Sequence, residues 1–254
     1  MRVRERERQR QRQRQRQRKI ETEKDRDSNR NLLLVKNKEG DIYHDRNLQN
    51  YKSNNKIYNR EYFRIVDLIK TTKINPQNSL EIGCGTGIKL DFIRKELKIL
   101  KNCIGIDLSK KAIKYGKKNF KEIKLYKMSS LDINKIKKKF DLVICGFFLY
   151  LLDRHNIFKQ FDLIYKKINY NGYLIIEDFE PLFKHSNTDN RNKNNLTIFK
   201  QSFTTFLIES GLFKLIYKSI SVMPKRDKRN FLSNDRSISL YQKIDFIKNY
   251  PKNI

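Results

Sequence analysis

The stretch Ser79-Leu80-Glu81-Ile82-Gly83-Cys84-Gly85-Thr86-Gly87 restricts the fold of this chain more than any other. It reads as a short buried strand running into a turn with glycine at alternate positions. A helix is expected to start near Ile88 and run through Leu97. Glycine at 83, 85 and 87 lets the backbone turn tightly and lets a ligand lie against it without Cβ interference. The first amides of the following helix add free donors and partial positive charge. Strand, glycine turn and helix together outline a nucleotide-sized pocket.

Around this stretch the chain divides by composition. Residues 1–30 are low-complexity, alternating Arg with Glu and then Arg with Gln from Arg8 to Arg18, with thirteen Lys or Arg against six Asp or Glu. No periodicity there buries an apolar face, so this tail is expected to be disordered or a solvated single helix. It reads either as a basic arm for RNA or an acidic surface, or as a repeat-expanded or wrongly included start, and the second reading is preferred. Residues 31–59 are polar with scattered aromatics; Tyr43 and Tyr51 are either an N-terminal lid over a ligand or packing residues. The remainder, 60–254, carries the alternation of a folded domain.

Helical spacing marks Arg60 to Ile69. After the glycine turn, Asn102 to Asp107 is a strand ending in an acid, and Ser109 caps the next helix. Further strands are expected at Ile123 to Met128, Phe140 to Gly146 and Tyr173 to Phe179. Between the last two, Asp153 reads as the N-cap of a helix carrying Ile157, Phe158, Phe161, Ile164 and Ile168 on one face, ended by the turn Asn171-Gly172. Near-continuous apolar runs alternating with helices indicate a parallel sheet covered on both faces. A polar insert, His185 to Asn195, and a short helix around Phe203 to Glu209 follow. Two late strands, Phe213 to Val222 and Ser237 to Ile244, lie too close for a confident crossover and are expected to pair antiparallel.

The formal charge is +29. Such a balance invites a nucleic-acid reading. Lysine, asparagine and isoleucine are abundant throughout, however, as an AT-rich coding sequence produces, and we prefer that explanation while leaving a polyanion surface open. Cys84, Cys103 and Cys145 sit in or beside apolar runs without a CxxC pair, so reduced core residues are expected and no metal site. No apolar run approaches the roughly 20 residues of a membrane span, and the N-terminus lacks a signal peptide's apolar region. A cytoplasmic protein is expected.

The glycine turn gains force from the acid twenty positions beyond Gly87. Asp107 falls at the tip of the neighbouring strand, where a carboxylate can accept from both hydroxyls of a ribose. Nicotinamide enzymes share that logic, but the spacing here is GxGxG rather than GxGxxG, with Glu81 two residues before the first glycine. With Phe140-Asp141-Leu142-Val143 opening the fourth strand, these residues resemble the class I S-adenosylmethionine-dependent methyltransferases over roughly residues 60–245. The resemblance implies an α/β fold with a Rossmann-like seven-stranded, mostly parallel sheet, helices on both faces and a C-terminal antiparallel strand pair. It implies S-adenosyl-L-methionine as cofactor, held by the backbone of Gly83, Cys84, Gly85 and Gly87. Glu81 would act on the methionine amino group through water or orient the turn, Asp107 would take the ribose, and Leu108 would lie beside the adenine. Ser130 and Leu131 would fall in the adenine-edge loop, and Gly146 under the sulfonium. A narrower similarity, Gly146-Phe147-Phe148-Leu149-Tyr150-Leu151-Leu152-Asp153-Arg154 with Glu177-Asp178-Phe179-Glu180-Pro181, is to bacterial-type small-molecule methyltransferases with GFxLYLxDR and DFxP signatures.

Methyl transfer depends on alignment of the reacting atoms, and a base is needed only where the acceptor must lose a proton. Acceptor-side candidates are Asp178 and Tyr150, each weighed against a structural role; Asp153 is preferred as a helix cap and His185 as a solvated loop residue. His155 and His44 are given no role. The chain lacks the Asn/Asp-Pro-Pro-aromatic tetrad of amino-nitrogen methylation and the Pro-Cys pair of cytosine-carbon methylation. The favoured reading is methylation at O or N of a small molecule or saccharide precursor. Its rivals are an RNA or protein methyltransferase that uses the basic tail and surface, distinguished by lysines gathered beside the cofactor mouth, and a non-catalytic binding protein of the same fold.

Overall fold

A computed structural model describes residues 11–16, 39–52, 56–98, 100–189, 196–222 and 234–245. A fully exposed helical stretch at 11–16 (α1) is the described part of the low-complexity tail. The Tyr51 side chain and the connection between the two last strands lie outside what the structure describes. Helices α2 (Gly40–Lys52) and α3 (Lys56–Thr71) precede β1 (Asn78–Ile82). Then come α4 (Ile88–Leu97), β2 (Asn102–Asp107), α5 (Lys110–Asn119), β3 (Lys124–Lys127), β4 (Phe140–Gly146), α6 (Ile157–Lys167) and β5 (Ile168–Phe179). The chain continues through β6 (His185–Asp189), β7 (Leu196–Lys200), α7 (Thr204–Glu209), β8 (Phe213–Ser221) and β9 (Arg236–Lys243).

Seven strands form one sheet in the order β3-β2-β1-β4-β5-β9-β8. The first five are parallel, and β9 runs antiparallel to both β5 and β8. Alternation along each strand sends residues to opposite faces. Leu142 and Ile144 of β4 thus join Ile65, Ile69, Leu90 and Ile93 of α3 and α4 in one apolar cluster. Val143 and Cys145 join Leu80, Ile82, Phe161 and Ile164 in the other. Leu80 and Ile82 are fully buried, each contributing roughly 1.5–3 kcal/mol by leaving water. The face that takes Leu80 and Ile82 leaves Ser79 and Glu81 pointing towards α3 and α4. That places a carboxylate in an apolar layer.

Three expectations need correction. Ile168 leaves the helix and opens β5 by pairing with Phe140, after which the register jumps to Leu142–Tyr173. The chain between them loops out through Asn171, whose φ is 57°, and Asn169 closes the loop by donating to Asp141 Oδ1 at 2.7 Å. The Asn171-Gly172 turn therefore lies inside β5. The polar insert contains strand β6, which pairs antiparallel with β7 in a separate two-stranded sheet. Leu196, Ile198 and Lys200 of β7 are buried at alternate positions, while β6 supplies polar residues alone. Finally, α3 starts at Lys56 rather than Arg60. The seven-stranded sheet and its antiparallel C-terminal pair stand as expected.

Candidate functional site

A cavity of about 290 Å³ opens where β1, β2 and β4 end. Gly83, Gly85 and Gly87 all have left-handed backbone, with φ of 74°, 56° and 79°, a conformation open to glycine at no steric cost. The amides of Gly83 and Cys84 both donate to the Ile106 carbonyl, at 2.9 and 3.0 Å, tying the turn to β2. A Cβ on Gly85 would meet nothing within 4 Å, so that residue faces open space on the cavity wall. Gly87 does not line the cavity. It is the left-handed N-cap of α4, and a Cβ there would press on Ile123 and Leu125. Its smallness serves packing against the residues at and just before β3.

Asp107 stands at the tip of β2. Its Oδ2 accepts from the Gly85 amide at 2.9 Å and its Oδ1 from the Ser109 amide at 2.7 Å. One carboxylate therefore anchors the glycine turn and the start of α5, and it keeps acceptor capacity for the cavity. Burial pushes the Asp107 carboxyl above its ordinary range, against the pull of these amides. Cys84, Leu108, Ser130 and Leu131 line the wall beside it. Ser129 caps the short 3-10 turn that carries Ser130 and Leu131. All three cysteines are buried and unbridged, and burial raises each thiol. They are small core residues.

Glu81 is fully buried. Lys89, from the first turn of α4, brings its Nζ to 3.0 Å from Glu81 Oε1. Burial raises the Glu81 carboxyl and Lys89 opposes the rise. The burial cost on Lys89 is outweighed by Glu81 and Glu177, which hold it charged. Glu177, 2% exposed, has Arg64 Nη1 at 3.6 Å from Oε1.

The remaining wall comes from two segments. Helix α2 supplies Tyr43 and His44. Its docking is polar: Asp41 Oδ1 accepts from Ser109 Oγ at 2.6 Å and from the Lys111 amide at 2.9 Å, and the His44 ring tilts against Tyr115. His44, given no role by its position ahead of the domain, thus reaches the cavity. The second segment follows β4. Phe147 has φ 51°, a left-handed conformation that costs a non-glycine residue about 1–2 kcal/mol, and its amide donates to the Glu177 carbonyl at 2.7 Å. Gly146, Phe147, Phe148, Tyr150 and Asp153 line the cavity here. Tyr150 packs edge-on against Phe179. Asp153 accepts from the His155 amide as an N-cap, at 2.8 Å.

Asp178 is not brought to the wall. It is 1% exposed, and its carboxylate accepts from the amides of Phe179 (2.7 Å) and Tyr150 (3.2 Å) from beneath the turn. The acceptor contact expected of Asp178 is therefore corrected to support of the segment that lines the cavity. His185, expected as a solvated loop residue, instead opens β6 opposite Lys200, half-buried, with its Nδ1 2.9 Å from the Phe183 carbonyl. Among the described residues no group of three His, Cys, Asp or Glu is placed to hold a metal, and no helix is long and apolar enough to cross a membrane. Lys89 is the main member that sequence reasoning missed. Its signal was a cation two residues after Gly87, in the first turn of α4 and one residue before a buried leucine.

A family model described as a methyltransferase domain matches residues 76–230. An uncharacterized protein of Rickettsia prowazekii (strain Madrid E) is 29% identical over 159 residues, which is 60% of this chain and 60% of that relative's length. Among solved structures, the N-methyltransferase NodS from Bradyrhizobium japonicum WM9, in complex with S-adenosyl-L-homocysteine, superposes with a TM-score of 0.53 at 19% identity, covering 73% of this chain and 87% of that one. The 1,6-didemethyltoxoflavin-N1-methyltransferase of Burkholderia thailandensis, with bound 1,6-didemethyltoxoflavin and S-adenosylhomocysteine, reaches 0.62 at 11% identity, covering 86% and 91%. At these identities the likeness is one of fold.

Proposed function

The chain belongs to the methyltransferase-domain family, and on that premise we propose that it transfers a methyl group from S-adenosyl-L-methionine to an O or N atom of a small molecule or saccharide precursor. One observation carries the cofactor reading: a left-handed glycine turn, open at Gly85, is hydrogen-bonded to the Asp107 carboxylate, and the two line the same side of the cavity. The residues fit the group. Gly85 offers backbone without a side chain, Asp107 retains acceptor capacity for ribose hydroxyls, and Glu81 Oε2 is buried with no hydrogen-bond partner. Leu108, Ser130 and Leu131 offer an apolar and amide edge for a base.

When bound, the cofactor supplies an electrophilic methyl on a sulfonium. The chain's own contribution is positioning: the turn and Asp107 fix one side of the cavity, while Phe147, Phe148 and Tyr150 exclude water from the other. Tyr150 is the side chain we assign to acceptor contact. Its ring is braced by Phe179, and its hydroxyl can donate to or accept from a polar acceptor. Calorimetry with S-adenosylhomocysteine tests the cofactor reading. Asp107→Ala removes both the ribose partner and the anchor of the turn, and affinity is expected to fall roughly 10- to 100-fold. Unchanged affinity in the variant would remove the ribose assignment, and no binding by the unmodified protein would sink the cofactor reading.

A second reading, an RNA acceptor, is favoured by the distribution of charge. Between residues 107 and 140 the chain has twelve lysines against three acids, whereas 141–222 has ten Lys or Arg against eight acids. All twelve lysines are exposed, and they gather around α5, β3 and the approach to β4 rather than scattering evenly. That edge borders the cavity at Met128 to Leu131. If RNA is bound there, affinity for a single-stranded oligonucleotide drops steeply between 50 and 200 mM salt, and replacing Lys124 and Lys127 by glutamate flattens the dependence. Labelled-methyl transfer to small-molecule rather than RNA fractions of a cell extract decides between the two acceptors.

A further inference from the structure

Glu81 of β1, Gly146 of β4 and Glu177 of β5 share one face of three neighbouring strands: Gly146 pairs with Glu177, and Glu81 pairs with Ile144, two residues before Gly146 and on the same face. Their face of the sheet is the one covered by α3 and α4. Gly146 has no side chain, and the space a Cβ would take there is filled by the Lys89 ammonium. One cation from α4 therefore spans the strand between two buried carboxylates, on the cavity floor. Arg64 serves Glu177 from the other side, so the cluster of Glu81, Glu177, Lys89 and Arg64 is neutral as it stands.

A neutral buried cluster accepts a zwitterion far more readily than a lone charge. A ligand bringing an ammonium group alone would set two cations against Glu81. A ligand bringing ammonium and carboxylate together lets the charges exchange partners and leaves none unpaired, and an unpaired buried charge is the costly alternative. We propose that Lys89 is the carboxylate-binding residue of the cofactor site. Its ammonium stands in the free protein where the ligand's α-ammonium goes, against Glu81, and on binding it turns to the ligand's α-carboxylate. Lysine suits the exchange, having a compact charge on a flexible four-carbon stem, and the missing side chain at Gly146 leaves the path open. The chain thereby selects adenosine thioethers and sulfoniums that carry an intact amino acid. This rests on the S-adenosyl-L-methionine reading and adds the group that senses its amino-acid end.

The test compares S-adenosylhomocysteine with 5′-methylthioadenosine, which keeps the adenosine and sulfur and lacks the amino acid. With Lys89→Met, calorimetry is expected to show S-adenosylhomocysteine weakened roughly 10- to 100-fold and 5′-methylthioadenosine changed by less than about threefold. Equal losses on both ligands, or no loss on the first, overturn the assignment. Removing a buried cation can prevent folding, so a second measurement uses the unmodified protein. Decarboxylated S-adenosylhomocysteine is expected to bind at least about tenfold more weakly than S-adenosylhomocysteine; equal affinity overturns the proposal. Failure of the cofactor reading looks different, because the unmodified protein then binds none of the three.

Discussion

Replacing Gly116 by alanine is expected to destabilise the fold by roughly 2–3 kcal/mol, even though alanine improves a helix interior by about 1 kcal/mol. Gly116 lies within α5, where sequence rules favour the substitution. A Cβ there would run into the Thr86 carbonyl oxygen and Leu125 Cδ1. The leucine can rotate away, but the carbonyl belongs to the glycine turn. That turn is held on the other side by the Ile106 carbonyl and the Asp107 carboxylate. Either α5 backs away from the sheet or the turn shifts into the cavity, so stability and ligand affinity fall together. Urea unfolding of Gly116→Ala beside Lys114→Ala, an exposed position of the same helix, separates the contact from helix propensity. Lys114→Ala is expected to be neutral within about 0.5 kcal/mol. A Gly116→Ala protein as stable as the parent would show that α5 and the turn do not meet this closely.

Gly116 also shows where sequence reading stops. The glycine turn, β2 ending at Asp107 and the run Phe140 to Gly146 are legible, because parallel strands buried on both faces write themselves as unbroken apolar runs. The late antiparallel pair is legible from its short connection. Contacts made by small or polar residues across elements leave no such trace. Gly116 looks like a weak helix residue until Thr86 is beside it. Lys89 looks like a solvated cation until strand register puts Gly146 beneath it and Glu177 beyond. Helix α2 docks through Asp41, Ser109 and Lys111 rather than through an apolar stripe, so nothing in its spacing announced that His44 would reach the cavity. Strand β6 is polar throughout, and its partner β7 offers an alternation only five residues long. Asp178 was singled out for its place at the C-terminal end of β5, and the structure buries it beneath the wall.

That burial makes stability depend on pH. Burial pushes the Asp178 carboxyl from 3.8 up to about 7, against the hydrogen bonds of the Phe179 and Tyr150 amides and the more distant Arg154. The native state thus holds a proton that the unfolded chain releases near pH 4. Stability from this group is complete below the unfolded value and is lost as pH rises to about 7. Between pH 5 and 8 the loss amounts to roughly 2–3 kcal/mol, at about 1.4 kcal/mol per unit. Asp178→Asn fixes a neutral group of the same shape. Its oxygen keeps one backbone amide, but its NH₂ faces the other, costing about 1–2 kcal/mol at every pH. The variant is therefore expected to be less stable than the parent at pH 5 and equal or superior at pH 8, so the two stability curves cross. Urea unfolding of both proteins at the two pH values measures this, and parallel curves would show that Asp178 is ionised in the native state throughout. A crossing carries a consequence for the site. Asp178 holds the Tyr150 amide in the turn that lines the cavity, so its ionisation loads the segment that carries Tyr150. If the proposed methyl transfer takes place at this cavity, its pH dependence is expected to include a contribution from this support beneath the wall.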